Sequence, residues 1–196
     1  MSSGGRRFPA HPLTPAEAEG LLRACGNSRS GRRNRALLVL LYRAGLRCSE
    51  ALGLDLADLR VTTGGAVIRV RQPKGFYRGT PPRELGLDAK AAAMLQAWLE
   101  LRGTWPGPVF RTRSGRQVTA SYVRQLLPRL GRRAGIGRRV HPHALRHTFA
   151  RQLYEEGHGL VEIMLALGHT KLSTTQTYLR HIGATEVVAI TMGRQW

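Results

Sequence analysis

Apolar and polar positions along this chain follow two different periods. Near the start, Thr14-Pro15-Ala16-Glu17 precedes a run with apolar residues three and four apart. Thr14 can cap a helix, Pro15 suits its first position, and Glu17 completes a capping box. The pattern predicts a helix to about Cys25. A second helix is predicted from roughly Arg32 to Ala44. Its Ala36–Tyr42 stretch, ALLVLLY, is apolar all round, so it belongs in a core. Gly45 ends it, and Ser49 and Glu50 open a short third helix through Leu54.

The period then shortens to two. Ala66–Arg71 (AVIRVR) alternates and predicts a strand. Gly64-Gly65 before it predicts a hairpin turn from a strand near Leu59–Val61. QPKGFYRGTPP reads as a loop, and Arg83–Leu87 as a third strand. Helical periodicity returns over Asp88–Leu101, over Thr119–Ala134 with a bend at Pro128, and over His143–Glu156. Further helices are predicted over Leu160–Leu167, Thr174–Arg180 and Thr185–Met192. The fold class is mainly α, with one small three-stranded antiparallel β-sheet inserted early. No internal repeat is visible.

Composition adds a partner class. Lys+Arg number 31 against 12 Asp+Glu, a formal net charge of +19, and most cations are arginines. High-GC codon usage explains arginine over lysine, but not the excess of positive charge. That excess points to a polyanion, with nucleic acid first, because the arginine fork matches phosphate. The 196 residues suit one domain. Residues 1–11 read as a disordered basic arm. Cys25 and Cys48 are the only cysteines, which excludes a disulfide framework and a zinc ribbon and suits reduced thiols in the cytoplasm. Ala36–Tyr42 is too short to span a bilayer, and the N-terminus lacks the apolar core of a secretion signal.

Several residues could carry chemistry on a phosphate. His143 and Arg146 lie three apart behind Pro142, where a helix would start, and so share a face. A helix N-terminus already favours anions, and His with Arg there makes a phosphate pocket. Taken alone, HxxR reads more readily as a solvated basic face. Arg47 sits between two helices among Leu46, Ala51, Leu52 and Leu54, so it needs an anionic partner. Glu50 is placed to be that partner, in a structural pair or as the group that orients Arg47. Lys74 falls in the loop between the second and third strands, where it could protonate a leaving oxygen or remain a solvated loop lysine. His169 follows a helix end at Leu167-Gly168, and Tyr178 lies in TTQTYL. Each has an ordinary alternative as a capping histidine and a core tyrosine. His141, His143 and His147 suggest a metal, but no acidic residue lies between the last two and Arg146 would repel a dication.

Their joint order is more specific than any one of them. Arg47, Lys74, His143-x-x-Arg146, His169 and Tyr178, with the words GLRCSEAL, PHALRHTFA and LGHTKLSTTQTYLRH, resemble the catalytic set of the tyrosine recombinases, the phage integrase family. The resemblance covers residues 12–182, with residues 183–196 as a C-terminal helix or tail. Family members usually carry an N-terminal core-binding domain. This chain has only the short arm, and so resembles small, catalytic-domain-only members.

The resemblance implies the chemistry. Tyr178 attacks the scissile phosphate of double-stranded DNA, forms a 3′-phosphotyrosine and releases a 5′-hydroxyl. Arg47, Arg146 and His169 stabilise the charge that builds on the phosphate, and Glu50 orients Arg47. His143 assists as base or further stabiliser, and Lys74 protonates the leaving oxygen. Bond energy is kept in the phosphotyrosine, so neither ATP nor a metal is needed. The resemblance also implies a homo-tetramer on paired sites, a monomer or weak dimer when free, and an accessory DNA-binding protein as a further partner. Two alternatives stay open. One is a type IB topoisomerase-like nicking–closing enzyme, and the other is a non-enzymatic DNA-binding regulator built on the same fold.

Overall fold

The computed structural model describes residues 11–71 and 82–169. Among these are seven α-helices and a three-stranded antiparallel sheet. Helix α1 (Pro15–Ala24) opens on the predicted capping box. The Glu17 amide donates to Thr14 Oγ1 at 3.2 Å, and the Thr14 amide donates to Glu17 Oε2 at 2.8 Å. Helix α2 (Arg29–Arg43) begins three residues earlier than expected, because Ser28 caps it by accepting from the Gly31 amide at 3.1 Å. Ala36 through Tyr42 are all buried. This helix is the centre of the fold and packs against α1, α3 (Cys48–Leu52), α4 (Ala89–Arg102) and α6 (Pro142–Glu155).

The strands are β1 (Leu59–Thr62), β2 (Gly65–Val70) and β3 (Arg83–Leu87), in that order. The first hairpin turns at Thr63-Gly64 rather than at Gly64-Gly65, and Gly65 already pairs with Thr62. A single turn of 3-10 helix, Leu56–Asp58, precedes β1 and carries no clear signal in the sequence. Strand β3 returns in register with β2, Val70 opposite Arg83 and Ala66 opposite Leu87. The sheet lies against α4.

Helix α5 (Ala120–Arg133) runs through Pro128 and packs against α1, α3 and α6. Helix α7 (Leu160–Leu167) closes on α6 through a small separate core of Phe149, Ala150, Ile163 and Leu167. The chain ahead of α1 is tied to the rest. The Leu13 amide donates to Thr148 Oγ1 at 2.8 Å, and Arg138 bonds Glu17 and the Pro12 carbonyl. The first of these bonds ties α6 to the start of the chain. The helices predicted over Thr174–Arg180 and Thr185–Met192, and residues 1–10 of the predicted arm, lie outside the described residues.

Candidate active site

Three segments far apart in sequence meet at the end of α2. The first is the turn Gly45–Arg47. Gly45 has φ of +59°, and a Cβ on it would stand 2.2 Å from Phe149 Cδ1. The turn therefore needs glycine both for its backbone and for its contact with α6. It delivers Arg47 to the N-cap of α3. There the Arg47 amide donates to Glu50 Oε2 and Arg47 Nη1 to Glu50 Oε1, both at 2.8 Å. This is the predicted Arg47–Glu50 pair. Arg47 keeps 34% of its side chain exposed, while Glu50 keeps 6%. The arginine is reachable from outside and the carboxylate behind it is not.

The second segment is the start of α6. Pro142 takes the first helical position, which puts His143 on the first turn and Arg146 on the second. They do not share one solvated face. His143 is exposed, whereas Arg146 is 1% exposed. Arg146 Nη1 donates to the Gly45 carbonyl and stands 3.8 Å from Glu50 Oε2. Its Nη2 donates to the Leu167 carbonyl at 2.5 Å.

The third segment is the end of α7. Gly168 turns left-handed, with φ 62° and ψ 45°, and the amides of Gly168 and His169 bond back to the carbonyls of Leu165 and Met164. That turn is the glycine-closed helix end the sequence suggests. It aims His169 at the two arginines. Arg146 Nη2 lies 3.0 Å from His169 Nε2, and Arg47 Nη2 donates to the Gly168 carbonyl at 3.4 Å.

One arginine of this site carried no expectation. Arg83, first in β3, donates from Nη1 and Nη2 to the two Glu50 oxygens at 3.2 and 3.0 Å, and from Nε to the Ala166 carbonyl at 3.1 Å. A signal for it exists. Alternation along Arg83-Glu84-Leu85-Gly86-Leu87 puts Arg83 on the face of Leu85 and Leu87, which is the less exposed face of that strand.

Electrostatics follow from this crowding. Burial pushes the Glu50 carboxyl up, but the bonds from Arg83 and Arg47 outweigh it and hold it below the ordinary value. Burial and then the charges of Arg146, Arg47 and Arg83 push His169 down to about 4. Loss of solvent, then Arg146 and Arg47, lowers His143 as well. His141 is lowered by burial and by His143, whose ring centroid is 6.3 Å away. Such a site is electropositive with its histidines neutral. It is suited to receive an anion and to stabilise charge growing on it. Lys74 and Tyr178 lie outside the described residues. So the structure brings Arg47, Glu50, His143, Arg146 and His169 together, and adds Arg83.

Residues 11–183 match the model of the phage integrase family. The chain is similar to tyrosine recombinase XerC of Stutzerimonas stutzeri (strain A1501), with 40% identity over 150 residues, 75% of this chain and 48% of the relative. The chain spans about half the length of the curated relatives it matches. Among solved structures it is similar to XerA recombinase, with a TM-score of 0.80 and 26% identity over 97% of this chain and 68% of that one. It is also similar to XerH site-specific recombinase bound to palindromic difH substrate in a post-cleavage complex. There the TM-score is 0.77 and the identity 28%, over 97% of this chain and 55% of that one.

Proposed function

This chain belongs to the phage integrase family, the tyrosine recombinases, and we propose that residues 12–182 are the catalytic domain of a site-specific DNA recombinase. The observation that carries this is the convergence of Arg47, Arg146 and His169, from three distant segments, around one carboxylate. DNA supercoil relaxation and simple DNA binding are the competing functions on such a fold. Similarity to proteins named as a site-specific recombinase and as a tyrosine recombinase favours strand exchange.

In this reading a scissile phosphate of duplex DNA sits against the open side of Arg47. Arg47 and Arg146 donate to its non-bridging oxygens, and Glu50 holds both forks in place. Two fixed cations match the charge that develops in the transition state, which is where such donors accelerate phosphoryl transfer. His169 enters neutral. Phosphate charge beside it would raise its proton affinity and make it a better donor as the reaction proceeds. His143, at the rim, has its proton affinity lowered and suits removal of the Tyr178 proton. Tyr178 attacks phosphorus, a 3′-phosphotyrosine forms, and the 5′-oxygen leaves with a proton from Lys74. The covalent link keeps the energy of the broken bond, so rejoining needs neither ATP nor a metal.

Such chemistry on paired sites calls for four copies of the chain on the DNA, a monomer or weak dimer when free, and an accessory DNA-binding protein. Residues 183–196 are the segment suited to contact a neighbouring copy. The two free thiols, Cys25 and Cys48, suit the cytoplasm as its compartment. The discriminating experiment uses two marked DNA sites. Exchange of flanking sequence between them supports the recombinase. Relaxation of a single supercoiled plasmid without exchange supports the topoisomerase alternative.

A further inference from the structure

We propose that Arg83 is a positioning residue of the cleavage site, holding Glu50 and the end of α7 in one fixed arrangement. The inference rests on the recombinase function proposed above. Its side chain is 9% exposed. Each of its three guanidinium nitrogens is engaged by the protein: two by the Glu50 carboxylate and one by the Ala166 carbonyl. The planar fork is spent inward, which sets Arg83 apart from the part-exposed Arg47. A fork on both oxygens fixes a carboxylate in plane as well as in place.

What it fixes is the hub of the site. Glu50 is shared by Arg47 through Nη1 and the main-chain amide, and Arg146 Nη1 stands 3.8 Å from it. A carboxylate free to rotate would serve only one of these groups well. The Nε bond reaches Ala166, two residues before the Gly168 turn that aims His169. One side chain therefore joins the carboxylate behind Arg47 to the end of α7. Its bonds stand first among the influences that keep Glu50 ionised, and its charge helps to keep His169 neutral. Among the described residues, the charged groups around Glu50 are Arg47, Arg83 and Arg146. Those around His169 are the same three arginines and Glu50.

The test compares the wild-type chain with Arg83→Gln and Arg83→Lys for covalent adduct formation on nicked duplexes, across pH. Arg83→Gln is expected to bind DNA as wild type does, yet to form adduct roughly a hundredfold more slowly, the scale of a misplaced catalytic group. The acid limb of its rate profile should move to higher pH, because Glu50 becomes easier to protonate. Arg83→Lys should restore that limb but only part of the rate, since it returns the charge without the fork. Added to Glu50→Gln, Arg83→Gln should cost nothing more. A full rate in Arg83→Gln, a full rate in Arg83→Lys, or a pH-independent loss that multiplies with that of Glu50→Gln would each overturn the proposal. Titration of the His169 ring by NMR supplies a readout apart from cleavage. Its midpoint should rise in Arg83→Gln, and an unchanged midpoint would also overturn the proposal. Absence of adduct with the wild type would count against the recombinase function instead, and the His169 titration would still judge Arg83.

Discussion

Arg146 Nη2 points at His169 Nε2 across 3.0 Å. A guanidinium only donates, so Nε2 is the acceptor and the ring proton sits on Nδ1. The histidine is therefore neutral without DNA, in keeping with the fall of its pKa to about 4. NMR titration of His169 should show a midpoint near 4, well below the ordinary histidine value of 6.5. The unfolded chain binds this proton more readily than the folded one, so stability is complete above 6.5 and declines as the pH falls toward 4. His169→Gln should flatten that part of the stability profile.

Bound phosphate should reverse part of this shift. A duplex carrying the cleavage site places negative charge beside His169, and its titration midpoint should rise. The same titration with and without DNA checks it, and an unmoved midpoint would place the phosphate elsewhere.

Glu50 is the buried counter-charge to Arg83 and Arg47. Its removal in Glu50→Ala strands cations in the interior, which costs about 3–5 kcal/mol by the precedent of broken buried pairs. Urea unfolding at neutral pH should show that loss. Because the folded carboxyl is held below its ordinary 4.5, its contribution is complete above that value and is lost as the pH falls through the depressed one. Glu50→Gln should thus be less acid-sensitive than the wild type.

Gly45 joins fold and site. Gly45→Ala meets both a positive φ and the Phe149 ring. It should destabilise the domain by at least about 2 kcal/mol, from overpacking and left-handed backbone together. Adduct formation should slow beyond what the lost stability explains, because the Gly45 carbonyl also holds Arg146. Thermal melts alongside cleavage rates separate the two effects.

Much of this arrangement was legible in the sequence for physical reasons. The α1 capping box, the apolar ALLVLLY core and the alternating β2 are local patterns, and each formed close to where it was expected. The Arg47–Glu50 pair was readable because three residues separate it at a helix start. Two things were harder to see. Ser28 is one of several polar residues before α2, and only its bond to Gly31 marks the true start. The partner of Arg83 lies 33 residues away, a distance that strand alternation alone does not bridge. The burial of Arg146 depends on α7 closing over it, which no local pattern encodes.

Arg146→Ala should separate binding from catalysis. It removes a buried donor, and loss of one such donor lowers turnover by about 10²–10³-fold. DNA affinity depends instead on the many cations of a chain with net charge +19. It should change little in the variant. For wild type and variant alike, affinity should fall by about 10³-fold between roughly 50 and 200 mM salt, as expected for about six phosphate contacts. Filter binding across salt concentrations checks both points.

The central claim is that Tyr178 breaks a DNA strand by joining to it. The direct measurement mixes purified protein with nicked duplexes taken from the flanks of its own gene, without metal or ATP, and resolves the products on a denaturing gel. A covalent protein–DNA adduct with the wild type that disappears in Tyr178→Phe is the predicted result. Salt-sensitive binding to the same duplexes with no adduct, or an adduct that survives Tyr178→Phe, would contradict it.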